Sequence, residues 1–391
     1  MAATHYPQFR TPLLPCNLPL RRCAVPREQA SHRILIMRLG AFGDILMGTP
    51  LLVALREAYP NAHLTWVVEH KEAQAIDANP YIDEYLVWNG SFWKQMLRRG
   101  LYPLWAFRAL RLQKTLRAKR YDTFISFQPE EWPLLVRGVG AGVNIGVFDT
   151  FWQTDSRKAT SPRTRLYSTA YTRRDLPAHR THQYLLPLRA LGIPEPHETQ
   201  MSLGFTAADA AAAEEFLRGH GLAADRPFVV LAPMTTWQSR CWPADRYARL
   251  GDALAETRGL SVVLIGSQRE AEAVAAVAAQ MKTAPVLASG VLTFRQMAAL
   301  IAKSALLVSG DTGPMHVAAA VSTPYVALFG PTPAPERAPL TGRGLTLLHP
   351  VPCGPCDQKV CPNSGDNFML CMNLLTVEEV LAAAKSLLDT P

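Results

Sequence analysis

Short apolar runs and helix-period stretches alternate along this chain, and the alternation occurs twice, once on each side of residue 200. In the first series, RILIMRL reads as a strand, DILMGTPLLVALREAYP as a helix ending at Pro60, HLTWVVE as a strand, KEAQAIDAN as a helix, and EYLVWN and YDTFISFQ as further strands. Strands joined through helices run parallel, and a parallel sheet is covered by helices on both faces. Residues 195–226 change character, where PEPHETQMSLGF leads into the alanine-rich helix TAADAAAAEEFLRGHG. The second series opens with PFVVLAP, PADRYARLGDALAETRG, LSVVLIGS and REAEAVAAVAAQM, and continues with TFRQMAALIAKS, ALLVSGD, GPMHVAAAVS and PYVALFGP. The expected fold class is α/β, with two doubly wound, Rossmann-like domains. A composition that is 48% hydrophobic supports two cores. Ligands of such sheets bind beyond the carboxyl ends of the strands, so a cleft between the domains is the expected site.

The net charge of +8 and the pI of about 9.2 favour an anionic partner without choosing among nucleic acid, phospholipid and a phosphorylated substrate. Residues 1–30 are rich in proline and arginine and read as an extension. Their best apolar piece, TPLLPCNLPL, is broken by Pro15 and Pro19 and makes a poor signal-peptide core. No apolar run is long enough to cross a bilayer, so a cytoplasmic protein is expected. The seven cysteines, Cys16, Cys23 and Cys241 among them, are odd in number in a long chain, which excludes a small disulfide-framework protein.

Four loops carry the chemistry. RLGAFGDILMGTP places Gly40 and Gly43 at a strand-to-helix turn, but the third glycine of a dinucleotide fingerprint does not fit and Asp44 follows the second. Asp44 is then a helix N-cap or a carboxylate at the site's edge. LVSGDTGPMHVAAA ends a strand in a tight turn, with Pro314 suited to a first helical turn and the free N–H groups at Thr312 and Gly313 suited to an anion, flanked by Asp311 and His316. A purely structural turn capped by Asp311 is the other reading. APMTTWQSRCWPADRY offers Thr235, Thr236, Ser239 and Arg240 to phosphate oxygens, or serves as a polar loop before the helix that follows. LIGSQRE adds Gly266 for close approach and Gln268 or Glu270 for a ribose or base, though Glu270 also suits a helix start. Three such loops in one domain point to a nucleotide diphosphate.

The stretches RLGAFGDILMGTPLLVALREAYP, TTWQSRCWPADRY, GDTGPMHVAAAVSTPYVALFGPTP and the tail CGPC…VC…CM, in this order across about residues 32–385, make the chain resemble glycosyltransferase family 9, the lipopolysaccharide heptosyltransferases. The resemblance implies a GT-B fold, ADP-heptose as donor substrate, a lipid A–core acceptor and work at the cytoplasmic face of the inner membrane. It implies no required cofactor and no catalytic metal. It makes Asp44 the general base of an inverting displacement, with the diphosphate departing toward Thr312, Gly313 and Arg240. Arg240 stands where some relatives carry lysine, which keeps the cation and changes its donor geometry. The N-terminal extension has no counterpart in the family pattern. Residues 31–200 become the acceptor domain, 201–350 the donor domain, and 351–391 a Cys-rich tail with a helix crossing back to the first domain. Two other readings stay open: a nucleotide-cofactor oxidoreductase using a glycine turn, and a non-catalytic sugar-nucleotide-binding relative.

From Tyr85 to Tyr121 there is no acidic residue, while nine Lys and Arg side chains, including Arg98, Arg99 and Arg108, alternate with aromatic ones. Residues 156–174 form a second acid-free stretch. An anionic glycolipid at a membrane surface suits both; no nucleic-acid-binding module accompanies the charge, and an ordinary solvated helix face is the alternative. Cys353, Cys356, Cys361 and Cys371 could bind a structural zinc ion, although their gaps are irregular for it; free thiols are the alternative.

Overall fold

The computed structural model describes residues 32–128, 138–148, 165–172, 175–222 and 226–390. The expectations for the extension, for Cys16 and Cys23, and for much of the basic stretch 156–174 lie outside them. The chain divides into two units between Thr199 and Gln200.

Among the described residues the first unit holds a parallel sheet of β1 (Arg33–Met37), β2 (His63–Glu69), β3 (Glu84–Trp88), β4 (Thr123–Ser126), β5 (Val143–Val147) and β6 (Thr169–Tyr171), in the order β3-β2-β1-β4-β5-β6. Ile34 to Met37 are buried without alternation, as a central strand covered on both faces requires. On one face lie α1 (Phe42–Gly48), α2 (Pro50–Ala58) and α5 (Arg180–Ala190), close enough to Trp66 that a Cβ at Gly48 would come 3.3 Å from its ring. On the other, α4 (Tyr102–Ala118) packs Leu112 and Leu116 with Leu35, Met37, Val67 and Phe124, and α3 (Gly90–Arg98) adds Trp93. The single helix expected over 44–60 is two helices, because Pro50 brings no N–H and starts α2 as its first residue. The helix expected at 71–79 is only a 3-10 turn over His70–Ala75.

The second unit's sheet, β7 (Phe228–Ala232), β8 (Ser261–Leu264), β9 (Val286–Leu287), β10 (Leu306–Gly310), β11 (Tyr325–Phe329) and β12 (Gly344–Leu348), runs parallel in the order β12-β11-β10-β7-β8-β9. Its α-helices of eight or more residues are α6 (Ala207–Gly219), α7 (Ala244–Arg258), α8 (Ala271–Ala278), α9 (Phe294–Lys303), α10 (Gly313–Ala320) and α11 (Val377–Leu388). Capping boxes at Thr206–Asp209, Thr293–Gln296 and Thr376–Glu379 start α6, α9 and α11. The terminal helix packs into the second unit's own core. Val377, Val380, Ala383 and Ala384 are buried in one core with Val308, Val326, Leu328 and Leu254, because α11 packs on α7 and on β10–β12. Trp242, buried at the foot of α7, donates its indole N–H to the Leu375 carbonyl at 2.9 Å and fixes the approach to this helix.

Asp209 accepts hydrogen bonds from the Thr206 N–H at 2.9 Å, the Thr206 hydroxyl at 2.6 Å and Arg295 Nε at 2.9 Å. Burial alone would raise its pKa, but the Thr206 hydrogen bonds and the Arg295 charge outweigh burial and hold the carboxyl below its ordinary 3.8. A carboxyl whose folded pKa is depressed contributes its stability above the unfolded value and loses it as pH falls through the folded one. Asp209→Asn is therefore expected to destabilise the second unit at pH 6 and to flatten the fall in its thermal midpoint below pH 4. Parallel acid limbs for the variant and the wild type would contradict this.

Candidate active site

In each sheet the strand order reverses direction once, and the loops leaving the strands on either side of that point diverge to form a crevice at their carboxyl ends. In the first sheet the reversal falls between β1 and β4. The loop after β1 is tied to β4's end by the Leu39 N–H donating to Gln128 Oε1 at 2.6 Å and by Arg38 Nη1 donating to the Phe127 carbonyl at 3.4 Å. Gly40 is explained by close approach, since a Cβ there would lie 3.1 Å from Glu72 Oε1. Glu72 is itself buried, and burial pushes its carboxyl above the usual range.

Asp44 follows in the first turn of α1, where the Ala41 N–H reaches its Oδ2 at 3.4 Å. That weak contact makes Asp44 an acceptor for the N-cap residue, Ala41, and not the N-cap itself, and stronger partners surround it. Arg38 Nη2 lies 2.7 Å from Oδ2, the Tyr184 hydroxyl donates to Oδ1 at 3.1 Å, and Arg180 Nη1 stands 3.9 Å from Oδ1. Burial alone would raise the Asp44 pKa. The Arg38 and Arg180 charges, with hydrogen bonds from Arg38 and Tyr184, outweigh burial and keep the carboxyl below its ordinary value. Arg38, Arg180 and Tyr184 were not singled out from the sequence. Arg38 stood two residues before Gly40, and Arg180 and Tyr184 share a helix face by their spacing of four.

In the second sheet the reversal falls between β7 and β10, with β8 next to β7. The three loops singled out from the sequence thus leave adjacent strands. Arg240 Nη1 lies 3.3 Å from Asp311 Oδ2 across the reversal, and its guanidinium sits 3.6 Å from the centre of the Trp237 ring. Asp311 also accepts from the Thr332 hydroxyl at 2.7 Å, so it braces this pair rather than capping α10. The first residue before α10 is Thr312, with Gly313 and Pro314 opening the helix and His316 buried within it. A Cβ at Gly310 would come 2.9 Å from Thr235 Cγ2 and 3.0 Å from the Arg240 carbonyl, so glycine there lets the loop after β7 close onto β10.

The loops' hydroxyls divide. Thr236 is exposed, but Thr235 donates to the Trp237 carbonyl at 2.7 Å and shapes its own turn. Ser239 is buried, donates to the Gln358 carbonyl at 2.5 Å, and its N–H donates to the Lys359 carbonyl at 3.2 Å. It ties the Cys-rich segment to the loop, so its hydroxyl is spent on the protein. Gln268 lies exposed with its side chain against Gly290, whose N–H donates to the Gly266 carbonyl at 3.0 Å. Glu270 caps its own turn, accepting from the Ser267 N–H and hydroxyl, both at 2.7 Å.

Arg98, Arg99 and Arg108 are exposed on and after α3 and on α4, which cover the sheet face opposite α1 and α5; the Arg108 guanidinium lies 4.9 Å from the Phe92 ring centre. Cys353, Cys356, Cys361 and Cys371 are free thiols, and among the described residues no three or more His, Cys, Asp or Glu side chains are arranged to hold a metal ion. Burial pushes the Cys371 thiol up to about 11, with the neighbouring cysteines adding to it. Among the described residues no helix is long and apolar enough to cross a membrane.

Residues 109–365, more than half of the chain, match the model of glycosyltransferase family 9 (heptosyltransferase). Lipopolysaccharide heptosyltransferase 1 of Pseudomonas aeruginosa is 29% identical over 383 residues, covering 92% of this chain and 99% of that protein. Lipopolysaccharide heptosyltransferase 3 of Escherichia coli is 28% identical over 364 residues, covering 89% and 96%. The fold matches a family 9 glycosyltransferase from Veillonella parvula with a TM-score of 0.75 at 24% identity, covering 92% and 97% of the two chains. It also matches E. coli heptosyltransferase WaaC, solved with ADP, with a TM-score of 0.68 at 22% identity, covering 91% and 99%. Two doubly wound parallel sheets of this order make the GT-B fold. With the fold and the family model in agreement, the chain belongs to glycosyltransferase family 9, the heptosyltransferases, and is a glycosyltransferase.

Proposed function

We propose that the protein transfers heptose from ADP-heptose to the inner core of lipopolysaccharide, on a lipid A–core acceptor, with inversion at the anomeric carbon. Asp44 carries this reading: a carboxylate held ionised at the first sheet's strand reversal, in a unit whose neighbouring Arg38 and Arg180 suit an anionic acceptor. The acceptor hydroxyl oxygen attacks the anomeric carbon while the bond to the diphosphate breaks. The bonding pair leaves with the β-phosphate, and the hydroxyl proton passes to Asp44. A low pKa weakens Asp44 as a base but keeps it ionised throughout the neutral range, and the nearby cations stabilise the oxygen as it loses its proton.

On the donor side, the N–H groups at Thr312 and Gly313, with Arg240 beside them, suit the departing diphosphate. Thr236, Gln268, Gly266 and His316 complete the donor set, while Thr235, Ser239 and Asp311 support it by shaping the loop. Arg98, Arg99 and Arg108 serve the acceptor's anionic groups. The solved structure of WaaC with ADP supports an adenine nucleotide as the carrier of the donor sugar. A required cofactor has no role in this displacement.

The test is a panel of nucleotide sugars incubated with purified protein and lipid A–core acceptors, with nucleotide release measured. ADP release from ADP-heptose that depends on acceptor is expected. Release from another nucleotide sugar alone would reassign the donor, and tight NAD binding without release would favour an oxidoreductase.

A further inference from the structure

Helix α4 already packs one face, where half-buried Trp105, Ala109 and Leu112 and buried Leu116 recur at helical spacing, the last two against the sheet. A surface helix normally turns polar residues the other way. Here Phe107 and Leu110 stand opposite that stripe and are 62% and 66% exposed, and Tyr102, the first residue of the helix, is 63% exposed. Seven of the sixteen exposed large apolar side chains among the described residues fall between Phe92 and Leu110. Arg111 and Lys114 follow on the same outward face, and no acidic residue occurs between Tyr85 and Tyr121.

An apolar patch beside an unbroken basic one needs a partner that is apolar and anionic at once. RNA would use aromatic rings and phosphate contacts but would leave Leu104 and Leu110 without a role. A second copy of the same face would set like charges against each other. The boundary between anionic headgroups and acyl chains satisfies both halves, and long basic side chains reach its headgroups while their stems lie along the apolar region.

We propose that the outward face of α4, with its N-terminal turn, docks onto an anionic phospholipid bilayer. Phe107 and Leu110 enter the acyl boundary, and Arg111 and Lys114 stay among the headgroups. This deepens the transferase reading, whose acceptor is lipid-borne, but it is measured without any transfer reaction.

The experiment is sedimentation of the full chain with phosphatidylcholine vesicles that contain or lack phosphatidylglycerol. The wild type is expected to bind the anionic vesicles more tightly. Phe107→Ser with Leu110→Ser should weaken that binding at least about tenfold, and Arg111→Gln with Lys114→Gln should remove the preference for phosphatidylglycerol. Thermal midpoints and ADP affinity should stay at wild-type values in both variants, since the altered side chains are exposed. Wild-type vesicle binding by the serine variant would overturn the proposal. So would absence of wild-type binding, a dimer dissociated by the serine substitutions, or RNA binding that resists competition by anionic vesicles. Vesicle binding without heptose transfer to an acyl-free core acceptor would instead overturn the transferase reading and leave the docking surface standing.

Discussion

Asp44→Asn is expected to lower turnover at least ~100-fold, the loss that follows when a general base can no longer take a proton. Asparagine keeps the size of the side chain and can still accept from Tyr184, so ADP affinity should remain within about twofold in the absence of a change at the donor loops. The substitution also removes the carboxylate charge beside Arg38 and Arg180, so the thermal midpoint must be measured beside the rate. If the variant is folded, binds ADP normally and turns over like the wild type, the proton goes elsewhere and Glu72 becomes the next carboxyl to replace. A matched loss of ADP affinity and turnover would place Asp44 in donor binding instead.

Trp242→Ala should destabilise the second unit by about 3–5 kcal/mol, the usual cost of emptying a fully buried large aromatic site. Trp242 is 1% exposed, its ring meets Tyr247 edge-on with centroids 5.0 Å apart, and its indole N–H is the partner of the Leu375 carbonyl. Removing it opens a cavity and strips a hydrogen bond from the chain just before α11. Two units need not melt together, so the transition to follow is the one that ADP shifts upward. Trp242→Phe keeps most of the ring volume and should recover a large part of the loss. A loss below about 1 kcal/mol for the alanine variant would mean that the site refills by repacking.

Both sheets were legible because their central strands are unbroken apolar runs within RILIM and FVVLA, buried on each face, the first running into the Gly40 turn and the second set between Pro227 and Pro233. Strands β5, β6, β9 and β12 were not: VNIGV and GLTLL are as long as RILIM but break their apolar residues with asparagine, glycine or threonine, and β6 and β9 span only three and two residues. The break at Thr49–Pro50 was readable in principle: a proline within a helical pattern ends one helix or begins another, and here it does the second. At the candidate site, glycine turns and hydroxyl-bearing loops marked the strand ends correctly, because loop composition is local information. Whether a hydroxyl points outward or into the protein is not local. Ser239 looks like a phosphate ligand until Gln358, more than a hundred residues away, takes its hydrogen bond. Arg180 and Tyr184 illustrate the reverse case, for they reach Asp44 from a helix about 140 residues later.

The burial of α11 against β10–β12 has a consequence for how the chain is made. During synthesis the first unit's strands and helices are all available once residue 199 has emerged, and domains complete in the order they appear. The second unit has no such early closure. Val308, Val326 and Leu328 keep an uncovered apolar side until Val377 to Ala384 arrive, nearly two hundred residues after that unit begins. A nascent chain stalled before residue 377 would therefore present a finished first unit joined to a second with a sticky, half-built core. Such a chain is a natural substrate for chaperones and proteases.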